Sequence, residues 1–214
     1  MADNKDLASM RVSYEQGALD EANAPASPWT LFSSWFTEAS QSPKFEANAM
    51  TLSTVDSNAR PNSRIVLLKG YNEDGLSFFT NLESSKAADL ELCPYASLLF
   101  FWPEQERQVR IKGDVIKIPD QEASEYFATR PRESQLGAWA SSQSKVVESR
   151  DVLEEKYKQM SIKYPDEVPK PPFWGGYRVR PAEFEFWQGR VGRLHDRLCY
   201  RQNQDSWDVF RLAP

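Results

Sequence analysis

Residues 49–81 read "AMTLSTVDSNARPNSRIVLLKGYNEDGLSFFTN", and the period of this stretch decides the fold. Upstream, apolar residues recur at helical spacing, whereas from Ala49 they alternate with a period of about 2. "AMTLSTVD", "SRIVLLKGY" and "LSFFTN" therefore read as strands, with the polar segments "SNARPN" and "NEDG" as turns. Three antiparallel strands in a meander are expected.

Before this stretch, "SPWTLFSSWFTEAS" predicts a short amphipathic helix, with Ser27 as N-cap, Pro28 at the first helical position and Trp29, Phe32 and Phe36 on one face. Residues 1–26 are polar and predict a mobile arm unless it docks on something, so the ordered chain is expected to be one domain over 27–214. After the stretch, "SSKAADLELC" predicts a helix capped by Ser84, and "YASLLFFW" and "RQVRIKGDVIKI" two more strands. Helices follow in "DQEASEYFATRP", "ESQLGAWAS" and "SRDVLEEKYKQMSIKY", then a proline-rich loop and closing strands in "YRVRPAEFEFW", "RLCYRQ" and "WDVFRL". The absence of a βαβ rhythm argues for an α+β, antiparallel protein, and the number of strands favours closure into a small barrel.

Composition narrows the function classes. A net charge of −5 over 214 residues argues against a general nucleic-acid binder, which needs a basic face for phosphates. The beginning of the chain lacks an apolar leader, and no stretch approaches the roughly 20 apolar residues of a membrane span, so a cytoplasmic protein without a membrane partner is expected. Cys93 and Cys199 lack metal-ligand spacing and the chain has 1 His, so no metal site is expected and the cysteines read as buried free thiols. With 7 Trp, 8 Tyr and 12 Phe the chain is aromatic-rich, which fits a large core or a planar ligand.

Four places carry cations where anions would be welcome. In "SRIVLLK", Arg64 and Lys69 interrupt an apolar strand on opposite faces, which fits either an anion site or an edge strand with snorkelling charges. Lys86 falls in the first turn of a helix, where free N–H groups disfavour a cation unless a phosphate joins both, although helices beginning Ser-Ser-Lys are common. Tyr126 and Arg130 are four apart on one helical face and could hold one anion, or Arg130 could simply meet the last helical carbonyls. In "RLHDR", an extended chain would put Arg193, His195 and Arg197 on one face, with Asp196 pointing away, so the three need either a shared anionic ligand or carboxylate partners. The two arginines favour the ligand, although a lone His is more often structural. Arg190 reads as a solvated turn residue.

Taken in order, "SRIVLLK", "ESSK", "RQVRIKG", "YFATRPRESQLGAWASSQS", "PPFWGGYRVRP" and "EFWQGRVGRLHDR" resemble the pyridoxine/pyridoxamine 5′-phosphate oxidases across nearly the whole chain, and the last block is the most specific. The resemblance implies an FMN-binding antiparallel split β-barrel with flanking helices and a homodimer with FMN at the subunit interface. It also implies oxidation of pyridoxine or pyridoxamine 5′-phosphate by O2 to pyridoxal 5′-phosphate, releasing H2O2, and NH3 from the amine. By resemblance, Arg64 and Lys86 bind the FMN phosphate. The flavin site continues through Ile65, Val66, Leu67, Leu68, Lys69, Phe79, Thr80, Ser85, Gln108, Gln143, Ser144, Trp187 and Arg197. Lys69, Tyr126, Arg130 and Ser134 match a cradle for the substrate phosphate. Arg193 and His195 match the pair that engages the substrate ring and carries the catalytic role, and Arg11 to Tyr14 match a segment that folds over the site. One position departs from the pattern: Ser85 stands where the family usually has an arginine, which predicts weaker flavin retention. The competing readings are a non-catalytic split-barrel protein that binds FMN or pyridoxal phosphate, and a related flavin oxidoreductase with a different substrate.

Overall fold

The hairpin expected at the start of the β region forms between β1 (Ala49–Val55) and β2 (Pro61–Leu67), antiparallel with Leu52 opposite Arg64 and Thr54 opposite Asn62. Strict alternation buries Met50, Leu52 and Thr54 on the inner side of β1. The computed structural model describes residues 13–214. Their contacts cluster into two compact units, each assembled from separate pieces of chain.

One unit comprises residues 48–98 and 112–182. It holds β1, β2, β3 (Gly70–Asn72), β4 (Gly75–Asn81), helix α2 (Ser85–Leu92), the beginning of β5 (Tyr95–Trp102), the end of β6 (Arg107–Lys117) and the first part of β7 (Trp174–Gln188). The strand order is β2-β1-β5-β6-β7-β4-β3. The expected meander is thus interrupted after β2. The reason is a corner at Leu68 and Lys69: the Leu68 N–H donates to Asn48 O at 2.8 Å on the β1 side, and the next N–H, of Lys69, donates to Ser77 O at 2.9 Å on β4. The chain changes partner within one residue, and β4 pairs with β7, Phe79 opposite Gly176. A Cβ at Gly176 would lie 2.6 Å from the Phe79 ring, so glycine there lets the ring lie across the neighbouring strand. The turn into β4 uses Gly75 at φ 136°, a conformation open mainly to glycine.

Helices α3 (Asp120–Ala128), α4 (Arg132–Ala140) and α5 (Arg150–Lys163) belong to the same unit. Phe127, Leu136, Val168 and Trp174 form a small core here, with Tyr157 and Met160 of α5 packed against it.

The other unit contains residues 13–47, 99–111 and 183–214 of the described chain. Helix α1 (Pro28–Ala39) begins where expected, but its buried stripe is Pro28, Phe32, Trp35 and Ala39. Trp35 was not anticipated; Trp29 and Phe36 flank the stripe, half-buried. Trp35 meets Phe186 edge-on at 5.3 Å and Trp29 meets Phe184 at 5.0 Å, so much of the aromatic surplus is core. β7 continues here into β8 (Asp196–Asn203), which pairs with β9 (Ser206–Leu212).

The polar arm before Ser27 makes specific bonds over its described part. The Glu15 and Gln16 N–H groups donate to Glu106 Oε2 at 2.8 and 3.0 Å, Leu19 N–H donates to Asp196 Oδ2 at 3.0 Å, and Arg211 pairs with Glu21 at 2.6 Å. Cys199 is buried, its thiol pushed up to about 11 by burial and by the charge of Glu185, while Cys93 is only half-buried. Among the described residues no helix is long and apolar enough to cross a membrane.

Candidate functional site

A cavity of about 700 Å³ opens in the first unit, within the usual size of small-molecule sites. Its lining brings together Arg64, Ile65, Val66, Leu67 and Lys69 from β2 and the corner, Phe79 and Thr80 from β4, and Lys86 from α2. Tyr126, Arg130, Ser134, Gln143 and Trp174 complete it. Leu68 is buried in the core and is not part of this lining.

Lys86 is 8% exposed, and its Nζ donates to Thr80 Oγ1 at 3.1 Å, Ser84 Oγ at 3.1 Å and Gln143 Oε1 at 2.7 Å. All three acceptors are neutral. Burial, and then the nearby positive charge of Arg64, push its ammonium down to about 8. Ser84 occupies the N-cap position but makes no side-chain cap bond, because its hydroxyl is turned to the ammonium instead. The Arg64 guanidinium donates through Nη1 to Leu52 O at 3.3 Å, Thr54 Oγ1 at 2.6 Å and Asn62 O at 3.4 Å. Its Nη2 stands 3.7 Å from Asp89 Oδ2. Two cations thus share this part of the cavity with one partly engaged carboxylate, a donor set that fits an anion.

A third cation, elsewhere in the lining, also lacks a partner. The Arg130 guanidinium lies over Trp174 at 4.9 Å and Phe127 at 5.3 Å, and its buried Nη1 has no hydrogen-bond partner. Burial lowers its pKa. The helix-end reading of this arginine is therefore corrected: it is Arg132 that donates to carbonyls, those of Tyr164 and Asp166. Tyr126 stacks on Phe79 with centroids 4.1 Å apart, and Phe79 lies parallel to Trp174 at 5.4 Å. Trp174 escaped the reading of individual residues because it falls in what reads as loop; its neighbours Gly175 and Gly176 were the available signal. Ser85 is exposed, with its hydroxyl 3.3 Å from that of Ser144, which adopts φ 68°.

The remaining site residues belong to the other unit. His195 packs at 4.7 Å from Trp187 and 5.7 Å from Tyr14, and its Nδ1 accepts the Arg190 N–H at 3.1 Å. The neutral ring must then carry its proton on Nε2. The expected single strand face of Arg193, His195 and Arg197 does not form. Residues 191–193 make a tight turn, Arg193 has φ 63°, and β8 starts only at Asp196. Arg197 donates to buried Glu185 at 2.9 Å, and that carboxylate also pairs with Arg110; the bond to Glu185 holds the Arg197 pKa up. Asp196 accepts from Arg211 at 2.6 Å, and Arg190 donates to Gly17 O at 2.6 Å. Gln108 lies half-buried on β6. Arg11 lies outside the described residues.

Residues 36–164 match the pattern described as pyridoxamine 5′-phosphate oxidase, and residues 174–214 match the pyridoxine 5′-phosphate oxidase C-terminal dimerisation region. The chain belongs to the pyridoxamine 5′-phosphate oxidase family. Within this family it is 50% identical over 210 residues to the pyridoxine/pyridoxamine 5′-phosphate oxidase of Paraburkholderia phytofirmans, covering 97% of this chain and 99% of the relative. It is 51% identical over 211 residues to that of Burkholderia multivorans, covering 97% and 99%. Among solved structures it is similar to PhzG from Burkholderia lata in complex with tetrahydrophenazine-1-carboxylic acid, with a TM-score of 0.86, 29% identity, and coverage of 92% of this chain and 98% of that one. A pyridoxamine 5′-phosphate oxidase-related, FMN-binding protein from Nostoc punctiforme shares the fold, with a TM-score of 0.72 at 20% identity over 89% of this chain and all of that one (100%). The fold class is the family's antiparallel split barrel with flanking helices, as expected.

Proposed function

We propose that this chain is an FMN-dependent oxidase that converts pyridoxine or pyridoxamine 5′-phosphate to pyridoxal 5′-phosphate, reducing O2 to H2O2 and releasing NH3 from the amine. The observation that carries this reading is one cavity holding two separate cation deficits. Lys86 is buried among neutral acceptors with Arg64 nearby, and Arg130 has a buried Nη1 without a partner. Unpaired buried cations are costly, so they mark places where ligand anions belong. A flavin that merely binds needs one phosphate site; two fit a phosphorylated cofactor and a phosphorylated substrate.

The donor chemistry suits FMN. Arg64 and Lys86 would neutralise its phosphate, with Thr80, Ser85, Gln143 and Ser144 around it, and Ile65 to Leu67, Lys69, Phe79, Gln108, Trp187 and Arg197 complete the proposed flavin set, from which buried Leu68 is dropped. FMN, when bound, supplies the two-electron acceptor and the route to O2. Lys69, Tyr126, Arg130 and Ser134 would hold the substrate phosphate, and that anchor fixes where the 4′ carbon sits. Arg193 and His195 would engage the ring and its 4′ substituent, with Arg11 and Tyr14 contributing from the arm. His195 acts through Nε2–H as a donor, because accepting a proton at Nδ1 would break its bond from Arg190. We read the assembly as a homodimer, in line with the match of residues 174–214 to the family's dimerisation region.

The purified chain, supplied with pyridoxine or pyridoxamine 5′-phosphate in air, should be yellow and should form peroxide and the aldehyde in equal amounts. A yellow protein with no turnover would replace this reading by the binding-protein alternative. Turnover of a carboxylate-bearing tricyclic substrate alone would point to chemistry nearer the PhzG ligand.

A further inference from the structure

We infer that Thr54 and Asp89 are positioning residues for the proposed flavin-phosphate site, a buried relay that aims Arg64; this rests on the reading of that site given above. Thr54 sits on the inner side of β1, 1% exposed, at a position where alternation calls for an apolar residue. Asp89 is 6% exposed, one turn along α2 from Lys86. Buried polar groups of this kind need partners, and here they are partners of each other.

The Thr54 hydroxyl donates to Asp89 Oδ2 at 2.6 Å. Having used its proton, its oxygen can only accept from Arg64, whose Nη1 lies 2.6 Å away. Asn62 Nδ2 donates to the same Asp89 oxygen at 3.2 Å. The carboxylate thus fixes the direction of the threonine proton, and the threonine oxygen fixes the guanidinium. The described hydrogen bonds of Arg64 all leave from Nη1, so the relay commits one corner of the fork and leaves the Nε edge for a ligand in the cavity. Asp89 stays at 3.7 Å from Nη2, too far to take over that edge. The carboxylate keeps only this looser ion pair with the guanidinium, and the hydroxyl, hydrogen-bonded to Nη1 at 2.6 Å, sets its direction.

Removal of one hydroxyl tests the relay without emptying the core. Thr54→Val keeps the shape and Thr54→Ser keeps the hydroxyl. The affinities of the flavin-free full chain for FMN and for riboflavin, which lacks the phosphate, are then compared by fluorescence quenching. Thr54→Val should weaken FMN by about tenfold and leave riboflavin within about twofold, while Thr54→Ser keeps the wild-type preference. Asp89→Asn should shift the same ratio in the same direction. An unchanged FMN-to-riboflavin ratio in Thr54→Val, or an equal weakening of both flavins, would overturn the relay. A wild-type chain with no preference for FMN would overturn the phosphate-site reading itself, and the relay with it.

Discussion

Lys86 Nζ lies 2.7 Å from the amide oxygen of Gln143, 57 residues further along the chain, and this neutral oxygen is its shortest contact. An ammonium in that position gains from any anion that replaces or joins the amide. The free site holds Lys86 near 8, and a bound phosphate will raise that value by stabilising the charged form.

FMN affinity should therefore be insensitive to this group below pH 8 and should fall above it, where binding must take up a proton. The slope approaches about tenfold per pH unit until the bound-state value is passed. Titrations between pH 7 and 10 check this, and Lys86→Met should abolish the slope while weakening FMN by about tenfold or more. In the ligand-free chain the same lysine binds fewer protons than its unfolded counterpart between about 8 and 10.5, so its share of folding stability improves as pH rises through that window.

Arg130→Met should raise the melting temperature of the ligand-free chain while raising KM for both phosphorylated substrates by at least about tenfold. The guanidinium has a buried nitrogen with no partner, so its removal relieves a desolvation cost, and Met retains contact with Trp174. Calorimetry with steady-state kinetics gives both readings; a destabilised variant would mean that the cation–π contact outweighs the unpaired nitrogen.

Ser85→Arg adds the charge that the resemblance to the family led one to expect at this position. The serine is exposed beside Ser144, so a longer side chain has room. FMN should bind more tightly by about 1 to 3 kcal/mol, roughly 5- to 150-fold in the dissociation constant.

His195→Asn keeps an oxygen able to accept the Arg190 N–H but deletes the second ring nitrogen. kcat should fall by about a hundredfold with FMN affinity unchanged, which rapid-mixing kinetics and flavin titration would separate.

Much of the fold was legible from periodicity. The hairpin 49–67, the helices from Pro28, Ser85, Asp120, Arg132 and Arg150, and the last two strands all fall where apolar spacing puts them. The family was legible in the motif blocks, and the cavity gathers most of the residues those blocks pointed to. Partner choice was less legible. Nothing local in "LLKGY" announces that Leu68 bonds to one neighbour and Lys69 to another, and nothing in "RLHDR" announces a turn with Arg193 at positive φ.

The sequence by itself determined which faces are apolar, where the chain turns, and which cations are in excess, because these follow from side chains a few residues apart. Only the tertiary structure decided which cations remain unpaired. Arg197 found Glu185 and Lys117 found Glu91, while Lys86 and Arg130 found neutral or aromatic neighbours from distant segments. Desolvation and pairing depend on what packs nearby in space, and that information lies in contacts between residues far apart along the chain.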